Sequence, residues 1–465
     1  MADVESKRFQ ATRESLSGYT CPAWFRDLKF GIYCHWGPQC VPQRDGWYAR
    51  NMYIQGSGAY KYHVKHYGHP SEFGYKDIIQ LWKAERFDAD ALVALFKEAG
   101  AKYFTPVAVH HDNFDLWNSQ HTRWNATKMG PCKDIVGLWR DAALKAGLVF
   151  GVTTHLSRSY SWFQTSHHAD STGPRSGVPY DGENPANQDL YFDRHDDDNF
   201  RAPFDPPVSW RHLWIARIED LIDHYHPQLM YFDASVPFQG EDAGNSGMEV
   251  MAHFYNDNLA RSDGQSNGVH FIKHIDDHGV FIDNISSIVH ERTKLDEIDT
   301  VPWQTEDSIG DWFYRRHDRY KSVTTIIHEL IDVVSKNGNF MLNIPPRPDG
   351  TLDKDTIRIL KGIGSWMHAN GEAIYGSRPW DRFGEGAVRF TQKGGKVYIL
   401  CLKPRIRTIE LECLGTSAHP REINRITRLD TMDEIKFVQS AAALRLTTKP
   451  HPKPRHAVTF RLEFA

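Results

Sequence analysis

The feature that most restricts this chain is a repeated unit: a short apolar run, then polar residues, then an amphipathic stretch. The runs are KFGIYCHWG (29–37), AKYFTPVAVHHDNF (101–114), LVFGVTTHLS (148–157), QLMYFDAS (228–235), TVPWQTEDS (300–308) and NFMLNIPP (339–346). Between them, ADALVALFKEAG (89–100), DIVGLWRDAALKAG (134–147), WRHLWIARIEDLIDHY (210–225) and VTTIIHELIDVVSKNG (323–338) space their apolar residues as helices do. Strands alternating with helices predict βαβ units on parallel strands. Polar residues end nearly every run, which favours an α/β fold of the closed (β/α)8-like barrel type, whose working loops gather at one rim. No GxGxxG follows the first run, which weighs against a dinucleotide fold. The long segment 158–209 reads as rim loops that shape or cover a pocket.

After about residue 380 the rhythm changes to short alternating segments such as GAVRFTQKGGKVYILCLK and HAVTFRLEF. They predict a C-terminal antiparallel β-sandwich, with residues 1–378 forming the barrel and 379–465 the sandwich. A chain of 465 residues, 40% hydrophobic, is long enough to bury such cores. The formal charge of −4 with no long basic block excludes a nucleic-acid footprint. No stretch reaches the roughly 18 apolar residues of a membrane span, so no membrane partner is expected. The polar start MADVESKRFQATRES lacks a signal-peptide core. The chain is expected to be cytoplasmic if complete, and secreted or periplasmic if a leader was removed. The six cysteines form no CxxC pair and are expected to be free thiols. Oligomeric state is not set by the pattern.

His110, His111 and Asp112 directly follow an apolar run. Neighbouring strand residues face opposite ways, so His110 and His111 are expected to diverge unless the backbone turns. With His35, His155 and Asp233 they could ligate a metal, although HExxH and a compact cysteine set are both missing. They could equally be packed core histidines, or a hydrogen-bonding platform for a polyhydroxylated ligand with Trp36, Trp47, Tyr48 and Trp117. His270, His274 and His278 recur every four residues, but Asp276, Asp277 and Gly279 argue for a polar loop or strand–turn over a helix. Asp233 ends a buried-looking run; it is a cap or turn residue, or a catalytic carboxylate. Glu291 and Glu306 stand after later apolar segments. Glycoside hydrolysis needs two carboxyl groups from different strands whose environments split their pKa values.

Taken together, KFGIYCHWG, GWYARNMY, VAVHHDNFDLWNS, LMYFDAS, PWQTEDSIGDWFY, SKNGNFMLNIPPRPDG and IGSWMHANGEAIYGSRPW resemble the α-L-fucosidase family of retaining glycoside hydrolases. The resemblance spans roughly residues 20–380 in the same order. It implies a barrel plus β-sandwich and release of terminal α-L-fucose from fucosylated oligosaccharides or glycosides, with neither metal nor organic cofactor. It places the nucleophile on Asp233, sugar-binding histidines on His35, His110 and His111, and an aromatic wall on Trp47 and Trp312. Glu291 matches the acid/base pattern of one subgroup, and Glu306 competes for that role. Departures are Gly46 where an acidic residue is usual, Asn113 and Asp115 after the His-His-Asp block, and Ala234 for the glycine after the nucleophile. Three alternatives remain: an α-L-galactosidase on the same scaffold, a non-catalytic carbohydrate-binding protein, and a metallohydrolase using His35, His110 and His111.

Overall fold

Inward and outward side chains alternate along the first apolar run. Tyr33 points to one face while Ile32 and Cys34 point to the other, and every later strand repeats the division. A computed structural model describes residues 8–265, 267–275, 278–448 and 456–465. Eight strands are present in its barrel: β1 (Phe30–Cys34), β2 (Tyr103–Val109), β3 (Val149–Thr154), β4 (Leu229–Phe232), β5 (Val269–Lys273), β6 (Ser287–Glu291), β7 (Trp303–Ser308) and β8 (Gly338–Asn343). They pair in sequence order, and β8 returns parallel to β1, with Gly31 opposite Met341. Tyr33, Tyr103, Leu229, Tyr231, Phe271 and Met341 fill the barrel interior. Ile32, Phe104, Met230, Ile272 and Leu342 pack outward with the helices. Gly31 is required by this filling, because a Cβ there would lie 2.2 Å from the Tyr103 ring.

The amphipathic segments are helices Ala89–Glu98, Ile135–Ala146, Val208–Tyr225 and Val323–Ser335. Asp88, Asp134 and Ser322 cap three of them by accepting a backbone N–H from the first turn. Gly147, at φ 72°, closes the second in the left-handed conformation.

Two strands, β5 and β6, lie outside the six runs that the sequence displays. The four-residue histidine spacing is not a loop signature at its start. His270 lies within β5, its ring 4.3 Å from that of Phe232, and burial lowers its pKa to about 3. His274 lies just beyond the strand, and Asp276 and Asp277 fall outside the described residues.

The C-terminal strands are β9 (Arg378–Glu385), β10 (Val388–Lys393), β11 (Lys396–Cys401), β12 (Thr408–Leu411), β13 (Ile423–Arg428), β14 (Lys436–Gln439), β15 (Leu444–Thr447) and β16 (Val458–Phe464). They form antiparallel sheets β13-β16-β11-β10-β9 and β12-β15-β14 around a separate core that includes Phe390, Ile399, Leu444 and Phe460. Arg389 joins this unit to the barrel through Asp332 at 2.7 Å, and Trp366 donates to the Ala457 carbonyl at 3.0 Å. The six cysteines are unpaired. No helix among the described residues is long and apolar enough to cross a membrane.

Candidate active site

Strand β4 carries Leu229 and Tyr231 inward, so Asp233, two residues further, also turns inward at the rim. Its backbone N–H donates to the Thr154 carbonyl, and its side chain closes the floor of a pocket. That pocket encloses about 400 Å³, counting its open mouth. The Asp233 carboxylate is 8% exposed and surrounded by positive charge. Lys273 Nζ lies 2.5 Å from Oδ1, and Arg158 lies 3.5 Å from Oδ2. His155 Nδ1 approaches Oδ2 at 2.9 Å, at an angle short of a hydrogen bond. Burial alone raises the Asp233 pKa, but Lys273, Arg158 and His155 outweigh it and hold the pKa well below the usual carboxylate range.

Glu291 and Glu306 come from neighbouring strands, their Cα atoms in register, yet their environments differ. One oxygen of each, with one from Asp233, forms a group lying within 4.8 Å of one another. Glu291 is 34% exposed, and its Oε2 accepts from Lys273 Nζ at 2.7 Å. Glu306 is 2% exposed and accepts from the Tyr231 hydroxyl at 2.7 Å. Its Oε2 is buried and unpartnered. Burial first, then the charges of Glu291 and Asp233, raise its pKa to about 8 against the pull of Lys273.

The histidines form the opposite side. A register shift between Val107 and Val109 and the end of β2 turn the backbone, so both His110 and His111 line the pocket, their ring centroids 4.2 Å apart. The turn that the sequence reading allowed for is present and brings both residues to the pocket, while among the described residues no set of converging ligand atoms holds both. Burial, the largest cause in each case, lowers the pKa values of His35, His110, His111 and His155 and keeps the rings neutral. Their partners fix the tautomers. The Asn343 amide nitrogen donates to Ser308 and Trp312, so its Oδ1 accepts His35 Nδ1–H at 3.0 Å. His35 Nε2 is then an acceptor. The Gln39 amide donates to His110 Nδ1 at 2.7 Å, which places a proton on His110 Nε2. His111 Nδ1 donates to the His155 carbonyl at 2.9 Å, leaving Nε2 an acceptor 3.6 Å from Asp233. The pocket thus offers hydroxyl groups two acceptors and one donor.

Among the described residues, His35, His110 and His155 form one set whose ligand atoms converge within 4.8 Å, and His111, His155 and Asp233 another, so an ion could be held; His155 and Asp233 are among the expected ligands, but His35, His110 and His111 do not form one set. The tautomers fit this poorly. His110 presents an N–H, and the two His155 nitrogens face Asp233 and, at 2.9 Å, the Tyr33 hydroxyl.

Trp47 and Trp312 line the pocket. Trp47 meets Phe200 from the inserted segment at 5.6 Å, and Trp312 lies 4.9 Å from His35 with Arg292 over its ring. The other expected platform residues are placed elsewhere. Trp36 donates to the Arg347 carbonyl, Trp117 donates to Asp220, Tyr48 bonds His63, and all three rings are core. Asn113 and Asp115 are joined by the buried Arg217, at 2.6 Å to each, and serve the rim's structure. Ala234 is not among the residues with positive φ, so the turn after Asp233 does not need glycine. At Gly46, a Cβ would stand 3.4 Å from Asp311 Oδ1, so a carboxylate reaches this position from another loop.

Three lining residues, Tyr33, Arg158 and Lys273, escape a sequence reading of the site, and His155 enters it only as a candidate metal ligand. Tyr33 and Lys273 carry the inward phase of their strands, which was the available signal; Arg158 lies in an irregular loop that offers none.

A closed parallel barrel with paired carboxylates and neutral, tautomer-fixed imidazoles at its C-terminal rim defines a barrel glycoside hydrolase. The alpha-L-fucosidase family model matches residues 1–372, and the chain belongs to that family. It is 27% identical over 449 residues to the human tissue alpha-L-fucosidase, covering 93% of this chain and 85% of that one. It is 26% identical over 389 residues to the alpha-L-fucosidase of Dictyostelium discoideum, covering 81% and 76%. Among solved structures, the Thermotoga maritima alpha-fucosidase in complex with a mechanism-based inhibitor superposes with a TM-score of 0.78. That pair is 27% identical, with 98% of this chain and 100% of the other covered.

Proposed function

We propose that this chain is a retaining exo-α-L-fucosidase in which Asp233 is the nucleophile and Glu291 the acid/base. The observation that carries this reading is the contrast around Asp233: an ionised carboxylate at the pocket floor, with an exposed carboxyl group on the adjoining rim. Retaining hydrolysis asks for two carboxyl groups about 5–5.5 Å apart, and the 4.8 Å grouping of their oxygens supports that spacing. Asp233 attacks the anomeric carbon while Glu291 protonates the departing oxygen; Glu291 then takes a proton from water as the ester is hydrolysed.

Glu306 has the more elevated pKa, which by itself favours an acid. Its position decides against it. One oxygen is bonded to Tyr231 and the other is buried, so neither meets a leaving group at the mouth. The imidazoles are assigned to the sugar hydroxyls, with Trp47 and Trp312 as walls.

The test is incubation with an aryl α-L-fucoside, following the released sugar by proton NMR. Fucose released first as the α-anomer is the expected outcome. Initial release of the β-anomer would rule out double displacement, and preferential turnover of the α-L-galactoside would move the substrate assignment to that sugar.

A further inference from the structure

Lys273 was not singled out by its sequence context, yet it stands at the electrical centre of the pocket. Its Nζ lies 2.5 Å from Asp233 Oδ1 and 2.7 Å from Glu291 Oε2, and the residue is 3% exposed. The position follows from strand phase: β5 sends Val269 and Phe271 inward, and Lys273 is the next inward residue, at the rim. One ammonium therefore touches both carboxyl groups assigned to the reaction.

The chemistry gives that placement a use. In the first step, an Asp233 oxygen forms a bond to the anomeric carbon. The bond from that carbon to the leaving oxygen breaks, its electron pair goes to the oxygen, and the Glu291 proton follows. Before the step Asp233 is charged and Glu291 neutral; after it Asp233 is a neutral ester and Glu291 a carboxylate. The negative charge has crossed the pocket without changing in amount. In the second step water attacks the same carbon and gives its proton to Glu291, and the ester bond breaks to restore the Asp233 carboxylate.

We propose that Lys273 is a positioning residue that serves as counter-ion to this single charge in both states, first on Asp233 and then on Glu291. The inference rests on the roles proposed above for those two residues. It differs from a merely structural lysine in what its loss does. Asp233 keeps Arg158 and His155 as partners when Lys273 is removed, whereas Glu291 loses the cation at 2.7 Å. The state with charge on Glu291 is therefore hurt most, and Glu291 parts with its proton less readily. Substrates that need the proton suffer more than those with good leaving groups.

The experiment compares Lys273→Met, Lys273→Arg and the parent on aryl α-L-fucosides ranging from a nitrophenol-type leaving group to an unactivated phenol. For Lys273→Met, kcat/KM is expected to fall about 10- to 100-fold on the unactivated substrate, the worth of a charge-assisted contact. On the activated substrate the loss is expected to be at least about tenfold smaller, because there only the contact to Asp233 is lost and Arg158 and His155 remain beside that carboxylate. The alkaline limb of the pH profile is expected to move upward. Lys273→Arg, which keeps the charge, is expected to retain the parent's leaving-group dependence. Equal losses on both substrates, or no loss on either, would overturn the proposal. So would a steepened dependence in Lys273→Arg, which carries the test alone if Lys273→Met does not fold by circular dichroism. The two levels separate cleanly. If the parent releases no fucose, or Asp233→Ala keeps the parent's rate, the functional reading fails. If the parent turns over and Asp233→Ala does not, a flat leaving-group response in Lys273→Met defeats only the inference.

Discussion

The two sides of the pocket are built on opposite electrostatic principles. The side formed by β1, β2 and β8 is neutral: buried imidazoles whose protons are fixed by Asn343, Gln39 and a carbonyl. The side formed by β4 to β7 is charged: Asp233, Glu291 and Glu306 share Lys273, and Asp233 adds Arg158. A neutral, tautomer-locked side can hold hydroxyl groups through the whole cycle because nothing in it titrates near neutral pH. A charged side with a shared cation can pass a proton and a negative charge from residue to residue. With the roles proposed above, recognition and bond-breaking divide by strand as well as by residue type.

The largest expected effect breaks the charged side at its centre. Asp233→Ala should lower kcat on an aryl α-L-fucoside by at least about a thousandfold, as loss of a covalent nucleophile does. A variant within tenfold of the parent would remove Asp233 from the chemistry. Next comes Glu291→Ala, expected to cost about 10²–10⁴-fold on a poor leaving group. Azide should restore turnover with an activated substrate and give the α-linked fucosyl azide, the product of azide attack on the Asp233 ester, which product NMR detects. No rescue here, with rescue in Glu306→Ala instead, would transfer the acid/base role to Glu306.

Variants of the neutral side sharpen the contrast. His35→Phe and His110→Phe each remove one hydrogen bond to substrate and should lower kcat/KM by about 10- to 100-fold. The loss should be the same for good and poor leaving groups, since neither ring moves the departing proton. A loss that grows with leaving-group basicity in either variant would erase the division between the two sides.

How much of this was legible in the sequence follows the same line. The barrel was readable because its runs alternate with capped helices, and Asp233 because it ends a strand whose inward phase Leu229 and Tyr231 already mark. The strand β5 was hidden by His270. A histidine on an outward strand position looks polar in sequence, but here it is a buried ring packed on Phe232 and Phe254. Once β5 was missed, Lys273 had no strand phase to place it. Trp36 and Trp117 erred the other way: their motif context suggested a sugar platform, but their indole N–H groups find partners in the core. His110 and His111 show the limit of period-two reasoning, since one register shift after Val107 overrides it.

The smallest expected effect lies beneath the charged side. An unfolded glutamate titrates near its ordinary value of 4.5, whereas Glu306 in the fold is raised to about 8. Between those values the folded chain holds a proton that the unfolded chain has lost. The contribution of Glu306 is therefore fully present below about pH 4.5 and falls away as pH rises through about 8. Glu306→Gln keeps the neutral shape and removes the titration. Its thermal midpoint should match the parent's near pH 5 and exceed it near pH 8 by on the order of 2 °C. Comparing the two proteins at each pH cancels the other titrating groups. A difference in midpoint that does not change with pH would mean that Glu306 is ionised in the folded chain. The charged side would then set two buried carboxylates, Asp233 and Glu306, against Lys273 and Arg158, with the proton for the leaving group still carried by Glu291.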